Sequence, residues 1–233
     1  MLNPYIIALI ILIVGLFIAA NSYGRLIRLY NKYDTFAYSN LTAAQFVVAA
    51  FNFLGLHDHK IAMDPKKMSD RYAVSKKVVV LSEQNFYSKS ISAIAIASHE
   101  IGHVMQHKDG SKLFAISFLL QKLSKISDFL LIPSILTGGG LILFSPENLE
   151  LGNIIFFIGI GLYLVSLMFK LLLIPLEINA SKRAISLLQN ERILDGDELK
   201  GAKKVLSAAA LTYIGSLFYG LLSFLRGIGR SFR

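Results

Sequence analysis

The sequence predicts a mainly α integral membrane protein, with three to four transmembrane helices and an extramembrane part that carries a small β element. Three observations lead there. The 233 residues are 54% hydrophobic and only 17% charged, with a mean hydropathy of +0.56. Soluble domains run at about 45–50% apolar and about 25% charged. The apolar excess is concentrated in four long, nearly uncharged runs, while the segments between them carry helix caps and short strand-like runs. The chain has no Cys, which excludes a disulfide-stapled domain and any metal site built on thiolates.

The first run, Tyr5 to Ala20, has sixteen residues without a charge. It reaches close to the thickness of a hydrocarbon core. A cleaved signal peptide is the rival reading, since Ala19-Ala20 resembles a cleavage site. No Lys or Arg precedes the run, however, and it is long for a signal sequence, so an anchor is expected. Arg25, Arg28 and Lys32 follow it and place residue 25 onward in the cytoplasm.

Residues 25–112 form the main polar segment. Thr42 and Gln45 fit a capping box opening a helix over Ala43–Leu54, which stops at Gly55. Lys60–Met63 and Lys77–Leu81 read as short strands with a basic loop between them. Ser88 to His107 reads as a helix, because Ile91, Ile94, Ala95, Ser98 and Gly102 recur at spacings of three and four. Asp109-Gly110 ends it. The second apolar run, Phe129–Phe144, follows Leu113–Leu120 and is interrupted by Pro133 and Gly138-Gly139-Gly140. The third, Ile154–Leu176, is broken only by Lys170, placed to snorkel. Its loop to the second run lacks basic residues, and Lys182, Arg183 and Arg192 follow it, so these runs read as a hairpin returning to the cytoplasm. The fourth run, Val205–Leu225, has basic residues on both flanks. A fourth span and a re-entrant or core-packed helix both fit.

His99-Glu100-Ile101-Gly102-His103 carries the chemistry. On a helix, residues four apart share a face, so His99 and His103 can hold one ion through two imidazoles. Glu100 lies beside them, placed to take a proton from an attacking water. This pattern is one that binds Zn2+, and without cysteines the ligands are left to His and carboxylate. His107 is too far along the same helix from His99, about 12 Å, to share the ion, and is expected at the cleft rim. Glu177 is the better third ligand. It follows Pro175 at the cytoplasmic end of an apolar run, where a carboxylate is costly without a partner. The competing reading pairs it with Lys182 or Arg183.

These residues resemble the bacterial membrane-bound neutral zinc metallopeptidases of the YugP type, distant relatives of the HtpX and CAAX-prenyl proteases. The resemblance covers nearly the whole chain. It runs through the anchor, Lys76-Lys77-Val78-Val79-Val80-Leu81-Ser82, and Ser98-His99-Glu100-Ile101-Gly102-His103-Val104-Met105-Gln106-His107. It continues through the hairpin, Pro175-Leu176-Glu177-Ile178-Asn179-Ala180-Ser181-Lys182-Arg183-Ala184, and Ala208-Ala209-Ala210-Leu211-Thr212-Tyr213. It implies a zincin-like catalytic helix, zinc ligands at His99, His103 and Glu177, and Glu100 as catalytic base. Related proteases commonly carry an Asp four residues after the ligand Glu. Here Ser181 stands there, able to hydrogen-bond but not to supply a charge. The loop Ser69-Asp70-Arg71-Tyr72-Ala73-Val74 also departs from the family's Asp-His-Tyr-Asp-Pro type.

The expected organisation is therefore an anchor (1–23), a cytoplasmic catalytic part (24–112), a membrane hairpin (113–176), a third-ligand helix with a cytoplasmic segment (177–204) and a C-terminal apolar helix (205–233). The expected activity is zinc-dependent peptide hydrolysis at the cytoplasmic membrane face, on peptide or membrane-protein substrates. Tyr213, Tyr72, His107 and Arg183 are candidate donors to the oxyanion. The Lys77–Leu81 strand reads either as an exposed edge, which would offer a place for a substrate strand, or as an ordinary buried, paired strand. The alternative is a catalytically inactive zinc-binding membrane scaffold or chaperone. The net charge of +9 clusters beside apolar runs, where anionic lipid in the bilayer is a simpler partner than nucleic acid.

Overall fold

Thr42 accepts a hydrogen bond from the Gln45 amide, and the Gln45 side chain returns one to the Thr42 amide. This capping box starts one of the helices in a computed structural model that describes residue 17 and residues 21–210. The elements are α1 (residues 21–32), α2 (Ala43–Phe53), β1 (Lys60–Asp64), β2 (Arg71–Ala73), β3 (Val78–Ser82), α3 (Glu83–Phe86), α4 (Ile91–Lys108), α5 (Lys112–Phe144), α6 (Leu149–Asn190) and α7 (residues 196–210). They divide into two units. One holds Gly24–Ala115 with residues 175–210; the other holds, among the described residues, Ile116–Ile174 with residues 17 and 21–23.

In the first unit, α2 ends at Leu54, and Gly55 takes the left-handed conformation that stops it. The sheet has the order β1-β3-β2, with β1 parallel and β2 antiparallel to β3. Lys60 stands opposite Val78, and Tyr72 opposite Val79. β3 is therefore the central strand, paired on both sides, which decides between the two readings of Lys77–Leu81 in favour of the paired strand. Its residues Val79 to Ser82 are all buried, the signature of a strand covered on both faces. β2 was missed because only three residues of a polar loop form it.

Ser90 caps α4 by accepting from the Ala93 amide at 3.2 Å. Asp109 ends the helix, followed by Gly110 in the left-handed region. Twelve of its eighteen residues are buried, so α4 is the central helix of this unit. The core gathers Phe46 from α2, Leu81 from β3, Ile94 and Ile101 from α4, Leu188 from α6 and Leu206 from α7. Gly102 permits a close crossing: a β-carbon there would meet the Ala180 carbonyl oxygen at 2.3 Å.

In the second unit, residues 116–144 of α5 and 149–174 of α6 form an antiparallel pair joined through the turn Pro146–Asn148. The helix interiors include Pro133 and Pro175, and the separate runs 113–120 and 129–144 merge into one helix. Gly138 lies where a β-carbon would come 2.4 Å from the Phe156 amide nitrogen, so glycine sets this crossing. Lys170 is not a lone snorkelling cation. Its Nζ sits 2.8 Å from Asp128, which also accepts from Ser166 at 2.5 Å. Large apolar side chains such as Phe129, Leu143 and Phe144 face outward. α5 and the 146–190 segment are long and apolar enough to cross a membrane. The anchor run, apart from Phe17, and the fourth run beyond residue 210 lie outside the described residues, as does Tyr213.

Candidate metal centre

One turn of α4 separates His99 from His103 and brings them onto one face, and the α4–α6 crossing at Gly102 brings Glu177 to them. His99 Nε2 lies 3.0 Å from Glu177 Oε2, and His103 Nε2 lies 3.6 Å from the same oxygen. One ligand atom from each of the three residues falls within 4.8 Å of the others. Lys182 and Arg183 do not pair with Glu177; Arg183 instead pairs with Asp109. Glu177 is 3% exposed. Three donors of the kind zinc prefers thus converge from two packed helices, and the donor set suits a divalent ion with one position left open.

Each imidazole is held from behind. His99 Nδ1 lies 3.2 Å from Ser181 Oγ. His103 Nδ1 lies 2.9 Å from Gln106 Oε1. Gln106 in turn donates to the Leu176 carbonyl at 2.9 Å and to Asn179 Oδ1 at 3.0 Å. Gln106 and Asn179 were not singled out from sequence. The available signal was a glutamine three residues beyond His103 on a helix with almost no exposed face.

Glu100 is buried and, among the described residues, makes no side-chain hydrogen bond. Burial raises its carboxyl pKa above the usual carboxylate range, more than the neighbouring His99 and His103 lower it. For His103, burial opposes the charged form, but the Glu177 carboxylate and then Glu100 outweigh it. The result is a pKa raised to about 9 in the metal-free protein.

His107 is not in the cluster. Its Nδ1 sits 2.8 Å from the Tyr72 hydroxyl, which also lies 3.1 Å from His59 Nε2. His59 Nδ1 in turn meets Asp58 at 2.8 Å. The Phe114 ring lies between the two imidazoles, 6.2 Å from His103 and 5.7 Å from His107 by ring centroids. Asp70, in the loop that departs from the family type, accepts from the Ser82 amide at 2.8 Å and from Asn85 at 2.9 Å, tying that loop to the end of β3.

Residues 5–231 match the family model described as "Putative neutral zinc metallopeptidase". The chain is 34% identical over 198 residues to "Putative membrane protease YugP" of Bacillus subtilis (strain 168), an alignment covering 84% of this chain and 83% of that protein. No solved structure matches it significantly. With a match across nearly its whole length, and with two histidines and a glutamate converging as such a centre requires, the chain belongs to the neutral zinc metallopeptidase family.

Proposed function

We propose that this protein is a membrane-bound zinc endopeptidase in which His99, His103 and Glu177 hold the metal and Glu100 is the general base. The observation that carries the reading is the convergence of those three ligand atoms within 4.8 Å, two of them from the helix that also carries Glu100 and one from α6. A bound zinc would polarise the scissile carbonyl and lower the pKa of the attacking water.

The chain's own residues supply the rest. Glu100 has no competing hydrogen bond among the described residues and an upward-shifted pKa. Both properties suit a carboxylate that takes a proton from water and returns it to the leaving amine. Ser181 and Gln106 orient the two imidazoles from their outer nitrogens. Of the candidate oxyanion donors, the Tyr72 hydroxyl is engaged by His59 and His107, and Arg183 by Asn179 and Asp109. Tyr213 lies outside the described residues, and His107 has a ring nitrogen, Nε2, with no hydrogen bond among them.

The apolar hairpin and the basic residues flanking it support a bilayer-embedded protein with its centre at the cytoplasmic face. Hydrophobic peptides or membrane proteins are then the substrate class. The test is cleavage of an unstructured reporter peptide by protein purified in detergent. Glu100→Gln should retain zinc and lose on the order of 10²–10⁴-fold in rate, the usual contribution of a general base. Equal cleavage by the two proteins would refute the protease reading and favour a zinc-binding scaffold.

A further inference from the structure

We infer that Gln106 is a positioning residue that fixes the proton of His103 on Nδ1, leaving Nε2 open towards the metal; the inference rests on the metal reading above.

The proton order follows from groups that can only donate or only accept. Arg183 has no acceptor. Its guanidinium is held by the Asp109 carboxylate, and its Nε lies 2.9 Å from an Asn179 side-chain atom. That atom must be the amide oxygen. A Gln106 side-chain atom lies 3.0 Å from this oxygen and must donate to it. The same Gln106 atom lies 2.9 Å from the Leu176 carbonyl oxygen, which also can only accept. Two acceptors occupy both amide hydrogens, so the end of Gln106 that remains is its oxygen. This oxygen is 2.9 Å from His103 Nδ1, and that nitrogen has to donate. A neutral imidazole with its proton on Nδ1 has its lone pair on Nε2. His103 Nε2 is the atom that faces Glu177.

Water does not offer an alternative partner, because Gln106 is only 1% exposed. Two acceptors fix the order of donors: the Leu176 carbonyl, and the Asn179 oxygen that the Arg183 cation holds in place. His99 differs. Its Nδ1 meets the Ser181 hydroxyl, which can donate or accept, so that contact does not select a tautomer. The two histidine ligands are thus supported unequally, and His103 is the one held by a network of fixed polarity. Pro175 lies next to Leu176, so the acceptor that fixes Gln106 belongs to the α6 segment that also carries Glu177. One glutamine then couples the orientation of two ligands.

The test uses the full-length protein in detergent, labelled with ¹⁵N-histidine, and zinc itself as the probe. Zinc affinity is measured by competition with a chromophoric chelator. Gln106→Leu should bind zinc on the order of 10–100-fold more weakly, as loss of a ligand's hydrogen-bond partner does elsewhere. Arg183→Lys, still a donor, should stay near wild type, whereas Arg183→Gln, which can present an acceptor, should weaken binding. If Gln106→Leu fails to fold, the pair at Arg183 keeps the test open, because that side chain is partly exposed. The nitrogen spectrum of metal-free wild type at pH 10 should show His103 protonated on Nδ1, against the Nε2–H form that histidine favours in water. An Nε2–H signal, or wild-type affinity in both Gln106→Leu and Arg183→Gln, would overturn the inference. Wild type that binds no zinc yet shows the Nδ1–H signal would instead refute the metal reading and leave the tautomer assignment standing.

Discussion

Gly102 on α4 and Ala180 on α6 are in backbone contact, with space between them for a hydrogen atom and nothing larger. This contact sets the distance between the histidines of one helix and the carboxylate of the other. Gly102→Ala would bring a methyl group to 2.3 Å from a carbonyl oxygen that cannot rotate away. The helices must part. We expect about 1–3 kcal/mol of destabilisation from overpacking, and weaker zinc binding even where the variant folds. Thermal unfolding with and without zinc checks both. An unchanged zinc affinity would show that the crossing does not set the ligand geometry.

Ser181 occupies the place where related proteases commonly carry an aspartate, and its hydroxyl reaches His99. Ser181→Ala should weaken zinc binding on the order of 10-fold, the low end for such a partner. Ser181→Asp should strengthen it, because a carboxylate behind the imidazole raises its basicity. Chelator competition reads both. If the two variants bind alike, the contact is incidental.

The metal-free centre should respond to pH in a defined direction. His103 has a pKa raised to about 9 in the folded chain, above the ordinary imidazole value of 6.5. A folded-state pKa above the unfolded one adds stability that is complete below about pH 6.5 and is lost as pH rises to about 9. Zinc has the opposite dependence, since it must displace the proton that His103 carries in this range. Its affinity should rise with pH, close to tenfold per unit, and level off near pH 9. Unfolding of metal-free protein and chelator competition across pH 6–10 measure the two trends. Glu177→Gln should flatten the first.

Asp128 and Lys170 pair inside the helical hairpin, with Ser166 completing the cluster. Asp128→Asn leaves a largely buried ammonium without its carboxylate. We expect a loss of about 1–3 kcal/mol, moderated by the partial exposure of Asp128. The double replacement Asp128→Leu with Lys170→Leu should recover most of it. Denaturant unfolding in detergent distinguishes them. A double variant no better than the single one would show that the pair does more than neutralise itself.

Much of the centre was legible because its signals are local. The four-residue spacing of His99 and His103 and the capping box at Thr42 need no knowledge of tertiary structure. Glu177 could be chosen because a carboxylate beside an apolar run demands a partner. Gln106 could not, since its importance depends on the Leu176 carbonyl and Asn179 approaching from another helix. Whether Lys77–Leu81 lies at an edge or between partners was left open for a related reason. Strand order is a property of pairing, although the unbroken apolar run Val78–Leu81 carried a hint that the strand is covered on both faces. The Asp128–Lys170 pair was hidden because its members are 42 residues apart and meet only when the hairpin closes.

The central claim is that His99, His103 and Glu177 together hold one zinc ion. X-ray absorption at the zinc edge of the purified protein, with metal content measured on the same samples, tests it most directly. The account predicts one zinc per chain, bound by two imidazole nitrogens and carboxylate oxygen, and loss of stoichiometric zinc in both His103→Ala and Glu177→Ala. Full occupancy with an unchanged spectrum in Glu177→Ala would contradict it.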